Sequence, residues 1–575
     1  MKIGAKARRS QLLSTYGIGG LFPYETTSFM IVGLDEWKAE RATTVSEPRL
    51  ARSLHVHELK SPPAGTPRDI PVIRFPATQV CPSCRRIGSM QDLARDWNVA
   101  KCAQCRDKPD LTPFRLIVAC LRGHIGEFPY YRWLHKGQAG AETKHEMKLK
   151  ALGRTSSLAD LVLECNCGVP PRSLDGATAP KALAEFGPCK GARPWLGPDH
   201  TQDCAEVPKV VQRGASNVWF PAVRSAISIP PYSEALSKFV DKHWTALHDP
   251  DAVTDKLLDN FAAASRGQFT VEDIVGEIER RRGEMNGADI DEEMLRRQEF
   301  KALMEGRADS GETGSDFVCV PMTLDNDLPS VVTEVRKVTR LREVRALYGF
   351  SRLEGAIAPD TETLCELSHT QSHWLPAIEV IGEGIFIAFD RDDLDEWAEK
   401  PFATDRRLTL QRAADARARE YGRPEAPGVD IVQVALHTLA HVIIDQLSLD
   451  AGYPAASLRE RLFVDTDVAG ILVYTASSDS AGSLGGVASQ AEPDRFASAL
   501  REGLTRLSWC SADPVCIEAK GSGVDALNLA ACHACVLVPE TSCELNNTYL
   551  DRALLFGTHE DDQESEGIFS GYLGW

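Results

Sequence analysis

Cys81-Pro-Ser-Cys84 is followed, after seventeen residues, by Cys102-Ala-Gln-Cys105. No other pattern in the chain restricts its fold as much. Each Cys-x-x-Cys folds into a turn that presents two thiolates on one side. The intervening residues bring two such turns together to complete a tetrahedral four-sulfur zinc site. A closed sulfur shell leaves zinc no open position, so the spacing predicts a structural ion at Cys81, Cys84, Cys102 and Cys105. A redox reading is weaker, because neither pair sits in a recognisable strand-to-helix unit.

Sixteen cysteines in 575 residues extend the argument to the whole chain. The start, MKIGAKARRSQLLSTYGIGG, is basic but lacks an apolar stretch long enough for a signal peptide. No uninterrupted apolar run of roughly 18 residues, the length of a membrane span, occurs. The expected location is cytoplasmic, where paired cysteines point to metal rather than disulfides. The net charge of −18 argues against coating nucleic acid by bulk electrostatics. DNA contact then needs a local basic strip or a partner. The phosphate-loop pattern G-x-x-x-x-G-K-S/T is not found, so the chain is not expected to be an ATP-driven enzyme by itself.

The expected fold class is mixed α+β and multidomain. Residues 1–75 alternate short apolar runs with turn signals and form a partner-engaging segment ending in the Pro-rich SPPAGTPRDIP. Residues 76–230, rich in Cys, Gly and Pro, read as strands and loops held by zinc. Residues 231–329 have helical periodicity, with Ser233 as N-cap of the first helix. Residues 330–555 alternate strands and helices around a four-cysteine site, and 556–575 are an acidic tail. VVTEVRKVTRLREVRALYGFSRL reads as strand into helix or hairpin, and AIEVIGEGIFIAFD as strand with a Gly turn. VDIVQVALHTLAHVIIDQLSL reads as an apolar helix ended by Gly452 and Pro454.

A second metal set is Cys165, Cys167, Cys189 and Cys204, in which Cys120 and His124 could replace a ligand. A third comprises Cys532, Cys535 and Cys543 with Cys516, for which Cys510 competes. Four sulfurs would again close the shell, making it a staple. His437 and His441 lie four apart on one helical face, a spacing that suits metal. However, Thr438 stands where the metalloprotease pattern needs Glu; a third ligand could come from Asp445 or Glu460, though nothing demands it, and the favoured reading is two histidines hydrogen-bonded at a packed helix. The small-residue loop YTASSDSAGSLGGV, with Ser483, could cradle an anion, or be a close-packed turn. GIGG at 17–20 reads as a tight turn. Candidate DNA-contacting cations are Arg8 and Arg9, and Arg336, Lys337, Arg340, Arg342 and Arg345; the interspersed Glu334 and Glu343 favour a salt-bridged face for the latter group.

Several stretches together carry a resemblance. ARRSQLLSTYGIGGLF, VGLDEW, CLRGHIGEFPYYRWLH, RGASNVWFPAVRSAISIPP, RLREVRALYGFSR and EVIGEGIFIAFD resemble the DrmB family of the DISARM antiphage defence system. CHACVLVPETSCELNNTYLDRALL is similar to the C-terminal cysteine-bearing domain of certain DNA-repair helicases. The resemblance covers residues 5–225 and 335–555. It implies zinc at Cys516, Cys532, Cys535 and Cys543, with Cys510 fitting as well, and a separately encoded helicase-like ATPase, DrmA, as partner in recognising invading DNA. It transfers no catalytic residue. The expected function is a non-catalytic zinc scaffold that binds the helicase and helps it hold DNA. The rival is a metal-dependent nuclease or hydrolase using His437 and His441.

Overall fold

The computed structural model describes the chain except residues 1–6, 67, 97–98, 137–144, 154, 156, 286–289, 310–314, 354–362, 421–424, 476–484, 524–525, 559–565 and 574–575. The Ser/Gly loop containing Ser483 and much of the acidic tail therefore lie outside the described residues. The architecture is mixed α+β, with two units. The first is Met1–Val45, Leu54–Arg224 and Arg345–Ile378; the second is Ser46–Ser53, Ser225–Val344 and Glu379–Trp575.

Short strands dominate the first unit, as its frequent Pro and Gly require. Those that frame the metal donors include β1 (Thr78–Val80), β2 (Arg86–Ser89), β3 (Leu116–Ala119), β4 (Ile125–Glu127), β5 (Met147–Ala151), β6 (Leu161–Cys165) and β7 (Lys209–Gln212). A six-stranded sheet runs Arg172–Ser173, β6, β5, β2, β1, Thr112–Pro113, and a three-stranded one runs β4, β3, β7. The short helix α1 (Tyr130–His135) contributes Trp133 and Leu134 to a core with Phe114, Leu116, Phe128 and Leu163. Burying each such side chain stabilises by about 1.5–3 kcal/mol. GIGG is a turn: the Gly20 N–H donates to the Gly17 carbonyl at 2.8 Å.

The second unit opens with helices α2 (Ala235–Lys242), α3 (Asp255–Ala264), α4 (Val271–Met285) and α5 (Glu292–Glu305). Glu234, not Ser233, holds the N-cap position of α2; Ser233 is buried and directs its hydroxyl to the Glu234 carboxylate at 3.2 Å. Strand β8 (Phe317–Pro321) pairs antiparallel with β9 (Val332–Ser351). The same sheet contains β10 (Trp374–Phe389), β11 (Leu458–Val464) and β12 (Ala469–Thr475). β10 pairs antiparallel with β12, and β12 with β11.

Two local expectations are corrected. The stretch from Val332 is one strand of 20 residues, not a strand entering a helix or hairpin. Its β-branched Val332, Thr333, Val335, Val338, Thr339 and Val344 favour a pleated surface, and no Gly or Pro interrupts it before Gly349. Likewise β10 passes straight through Gly382 and Gly384. A Cβ on Gly384 would lie 2.3 Å from the Val473 carbonyl oxygen, so this glycine admits the neighbouring β12 backbone rather than making a turn.

Helices α6 (Pro401–Glu420), α7 (Ile431–Ala451) and α8 (Pro493–Leu507) complete the second unit's main framework. Asp430 caps α7 by accepting the Val432 N–H at 2.9 Å, and Gly452 ends it at φ +71°. α7 is long and apolar enough to cross a membrane by length and composition, but 83% of its most apolar window is buried inside the protein. Its Leu436, Leu439 and Ile443 share a core with Ile385, Leu462, Val473 and Leu504. An apolar surface all around a helix is the pattern of one enclosed by its neighbours. This enclosure fixes where His437 and His441 can point.

Candidate metal centres

The Cys81 and Cys84 sulfurs flank the turn between β1 and β2. Arg85 closes that turn at φ +63° while its N–H donates to the Cys81 carbonyl at 2.9 Å. Cys102 ends strand Val99–Cys102, with Cys105 in the following turn. The Sγ atoms of Cys81 and Cys105 are 3.7 Å apart, and those of Cys84 and Cys102 are 3.8 Å apart. Zinc bonded tetrahedrally to sulfur at about 2.3 Å sets neighbouring sulfurs roughly 3.8 Å apart. Met90, Leu93 and Leu111 wall this donor set. Burial opposes ionisation of Cys102, but the Cys105 and Gln104 amides pull its pKa down to about 7.

The four cysteines read together from the sequence as a second set stand in two places. Cys189 and Cys204 join Cys120 and His124. Cys120 and His124 flank the tight connection from β3 to β4, where the Gly123 N–H donates to the Cys120 carbonyl at 3.0 Å and Gly123 adopts φ +74°. Cys120 Sγ is 3.3 Å from His124 Nδ1 and 3.9 Å from Cys204 Sγ. The other imidazole nitrogen, Nε2, faces the Gln202 side-chain oxygen at 3.3 Å, which holds the ring with Nδ1 toward the sulfurs.

Cys165 and Cys167 instead meet His135 and His145. The antiparallel register aligns Met147 of β5 with Cys165 of β6, which brings His145 beside that cysteine. His145 Nδ1 is 3.3 Å from Cys165 Sγ, and His135 Nε2 is 3.4 Å from Cys167 Sγ. His135 Nδ1 lies 2.8 Å from the Tyr131 carbonyl oxygen. Since that oxygen only accepts, Nδ1 carries the proton and Nε2 presents its lone pair to the donor set. Sequence spacing singles out neither His135 nor His145; a lone Cys-x-Cys announces half a site without naming the other half.

In the second unit Cys510, Cys516, Cys532 and Cys535 converge. Cys510 Sγ is 3.5 Å from Cys532 Sγ, and Cys535 Sγ lies 3.8 Å from Cys516 Sγ and 3.6 Å from Cys532 Sγ. Thus both competitors, Cys510 and Cys516, belong to one set, whereas Cys543 lies apart with its Sγ 3.1 Å from His437 Nε2. Asp513 shapes the turn between the first two cysteines by accepting the Cys510 and Ile517 N–H groups. The neighbouring Cys535 thiol, against burial and with help from the Arg552 guanidinium, pulls the Cys516 pKa down to about 6.

Residues 8–220 match a domain of unknown function, DUF8724, and residues 439–536 match the MrfA Zn-binding domain. Over 566 residues the chain is 31% identical to the DISARM protein DrmB of Bacillus paralicheniformis, a match spanning 95% of this chain and 99% of that protein. The chain belongs to the DrmB family.

In this DrmB-family chain the matched zinc-binding domain contains all four of Cys510, Cys516, Cys532 and Cys535. The N-terminal match contains all three donor sets of the first unit. These thiolate and imidazole sets, spaced at tetrahedral edges, fit Zn2+. Family and donors together describe a DISARM-associated zinc protein. Bound zinc supplies the positive charge that lets buried thiolates lie edge to edge; the chain's part is to aim the donors and shield them.

The basic residues have other positions. Arg8 and Arg9 are exposed. Arg336 and Arg342 are buried, Arg336 paired to Glu334 at 2.8 Å and Arg342 to Glu379 at 2.8 Å. Lys337 reaches Glu492 at 2.7 Å, Arg340 donates to the Ser315 carbonyl at 3.0 Å, and Arg345 is half-buried. In this DrmB-family chain Arg336 and Arg342 are therefore buried anchors of β9, whereas Lys337, Arg340 and Arg345 are partly exposed.

Proposed function

We propose that this chain is the zinc-stapled subunit of an antiphage defence complex. It binds a DrmA-like helicase ATPase and supports that partner's recognition of foreign DNA in the cytoplasm. The observation that carries this reading is the end-to-end match with a protein described as DISARM protein DrmB. The metal-donor sets add a physical rationale. Closed sulfur and imidazole shells rigidify irregular loops, and rigid loops present a partner surface without ordering entropy at binding. DNA contact is assigned to the complex, with Arg8 and Arg9 as this chain's exposed contributors, because Arg336 and Arg342 of β9 are buried in ion pairs with Glu334 and Glu379.

The test is purification of the full chain with a DrmA-like helicase ATPase. DNA binding and ATP hydrolysis are then measured for each component and for the pair. A stable complex whose DNA binding is tighter than the helicase's own supports the proposal. A chain that stays alone, or that cuts DNA with added metal, overturns it.

A further inference from the structure

We propose that His437, His441, Glu460 and Cys543 form a zinc site of their own, separate from the four-cysteine site of the same unit. One donor atom from each lies within 4.8 Å of the other three, and all four residues are buried. His437 and Cys543 fall outside the residues matched to the zinc-binding domain.

The hydrogen bonds around the donors point to a cation at their centre. His437 Nδ1 faces the Tyr549 carbonyl at 3.2 Å, and His441 Nδ1 faces the Val536 carbonyl at 2.9 Å. A carbonyl only accepts, so both Nδ1 atoms carry protons and both Nε2 atoms turn inward, the arrangement of metal-ligating imidazoles. There His437 Nε2 meets Glu460 Oε1 at 3.1 Å and Cys543 Sγ at 3.1 Å, while His441 Nε2 lies 3.5 Å from Glu460 Oε2. His441 Nε2 and Glu460 Oε2 are buried without a hydrogen-bond partner. Such orphans are rare in native proteins and call for an ion or another partner.

The outer contacts prepare anionic donors. Cys543 Sγ accepts the Leu545 and Asn547 N–H groups at 3.3 and 3.2 Å, and Glu460 Oε1 accepts that of Glu544 at 3.0 Å. One divalent ion balances the carboxylate and the thiolate. Two imidazoles, a carboxylate and a thiolate suit zinc. Four protein donors also fill the tetrahedral shell, whereas hydrolytic zinc keeps one position for water. The site therefore ties α7 and β11 to the loop carrying Cys543, and the histidine pair is a staple rather than the centre of a nuclease.

The decisive measurement is an anomalous-scattering map at the zinc edge on crystals of the unaltered full chain. The expected result is a zinc peak enclosed by His437, His441, Glu460 and Cys543, distinct from the peak among Cys510, Cys516, Cys532 and Cys535. A map lacking that peak while the four-cysteine peak is present overturns the proposal, as does another metal in its place. In solution, native mass spectrometry of Cys543→Ser should show one zinc fewer than the parent chain. If that variant is insoluble, His441→Asn should show the same loss; an unchanged zinc count in a folded variant overturns the assignment.

Discussion

The sulfurs of Cys120 and Cys204 lie 3.9 Å apart although 84 positions separate them. The first of the two directly follows β3, and β7, which begins just after the second, pairs back onto β3 through Ala119 and Lys209. Sheet register thus brings together thiols that no short motif links.

This pairing predicts how zinc is lost. Cys165→Ser and Cys189→Ser should each remove one zinc, and the double variant should remove two, because the residues belong to different donor sets. Native mass spectrometry of the full chain reads the count directly. Loss of one ion from the double variant would mean that both cysteines serve a single site.

Removing a sulfur from the first site should unfold its surroundings. Zinc binding contributes about 10–16 kcal/mol in small zinc peptides, far more than an ordinary surface contact. Cys84→Ser should therefore lose its ion and expose the walls formed by Met90, Leu93 and Leu111. Hydrogen exchange across 78–111 would report the opening, and protection equal to that of the parent chain would contradict the role.

Glu299 and Arg461 form a buried bidentate pair, with N–O distances of 2.7 and 2.8 Å, and Glu299 also accepts the Ile227 N–H at 2.8 Å. Glu299→Gln removes the bidentate countercharge, leaving Arg461 the longer 3.9 Å contact with Glu343, and should cost about 3–5 kcal/mol. The exposed pair Lys301–Glu305 on the same helix, 3.7 Å apart, should contribute at most about 0.5 kcal/mol. Paired urea denaturation curves of Glu299→Gln and Glu305→Gln would show whether this ordering holds.

Gly384→Ala should be destabilising by about 1–3 kcal/mol or more, since the added methyl meets the β12 backbone rather than a movable side chain. Gly428, where an added Cβ would find nothing within 4 Å, should tolerate the same change. Thermal melts of the two variants provide the comparison, and equal midpoints would argue against the close approach.

Arg342 donates to the Ser46 carbonyl and the Ser228 hydroxyl, both at 2.7 Å, in addition to its ion pair. Arg342→Ala should consequently lower stability by about 1–3 kcal/mol, through the buried hydrogen bonds it leaves unmade. In the proposed complex with a helicase-like ATPase, the salt dependence of DNA binding should keep its slope, because a buried guanidinium releases no counterions from phosphate. A shallower slope in a folded variant would restore Arg342 as a DNA contact.

The sequence by itself determined the features written in short spacings. Cys81, Cys84, Cys102 and Cys105 announce their site because two tight turns each deliver a pair of sulfurs. The apolar run from Ile431 and its stop at Gly452 likewise define α7 locally. What only the tertiary structure decided was which half-sites meet. His135 and His145 complete Cys165 and Cys167 through the β5–β6 register, and Cys510 enters the set that Cys543 leaves. The same holds for β9, whose basic residues look like a surface strip in one dimension but find partners from distant segments in three. The physical reason is that a ligand shell needs only a few donor atoms within a few ångströms. Chain packing supplies that proximity at any sequence separation, so composition names the donors while the fold assigns their partners.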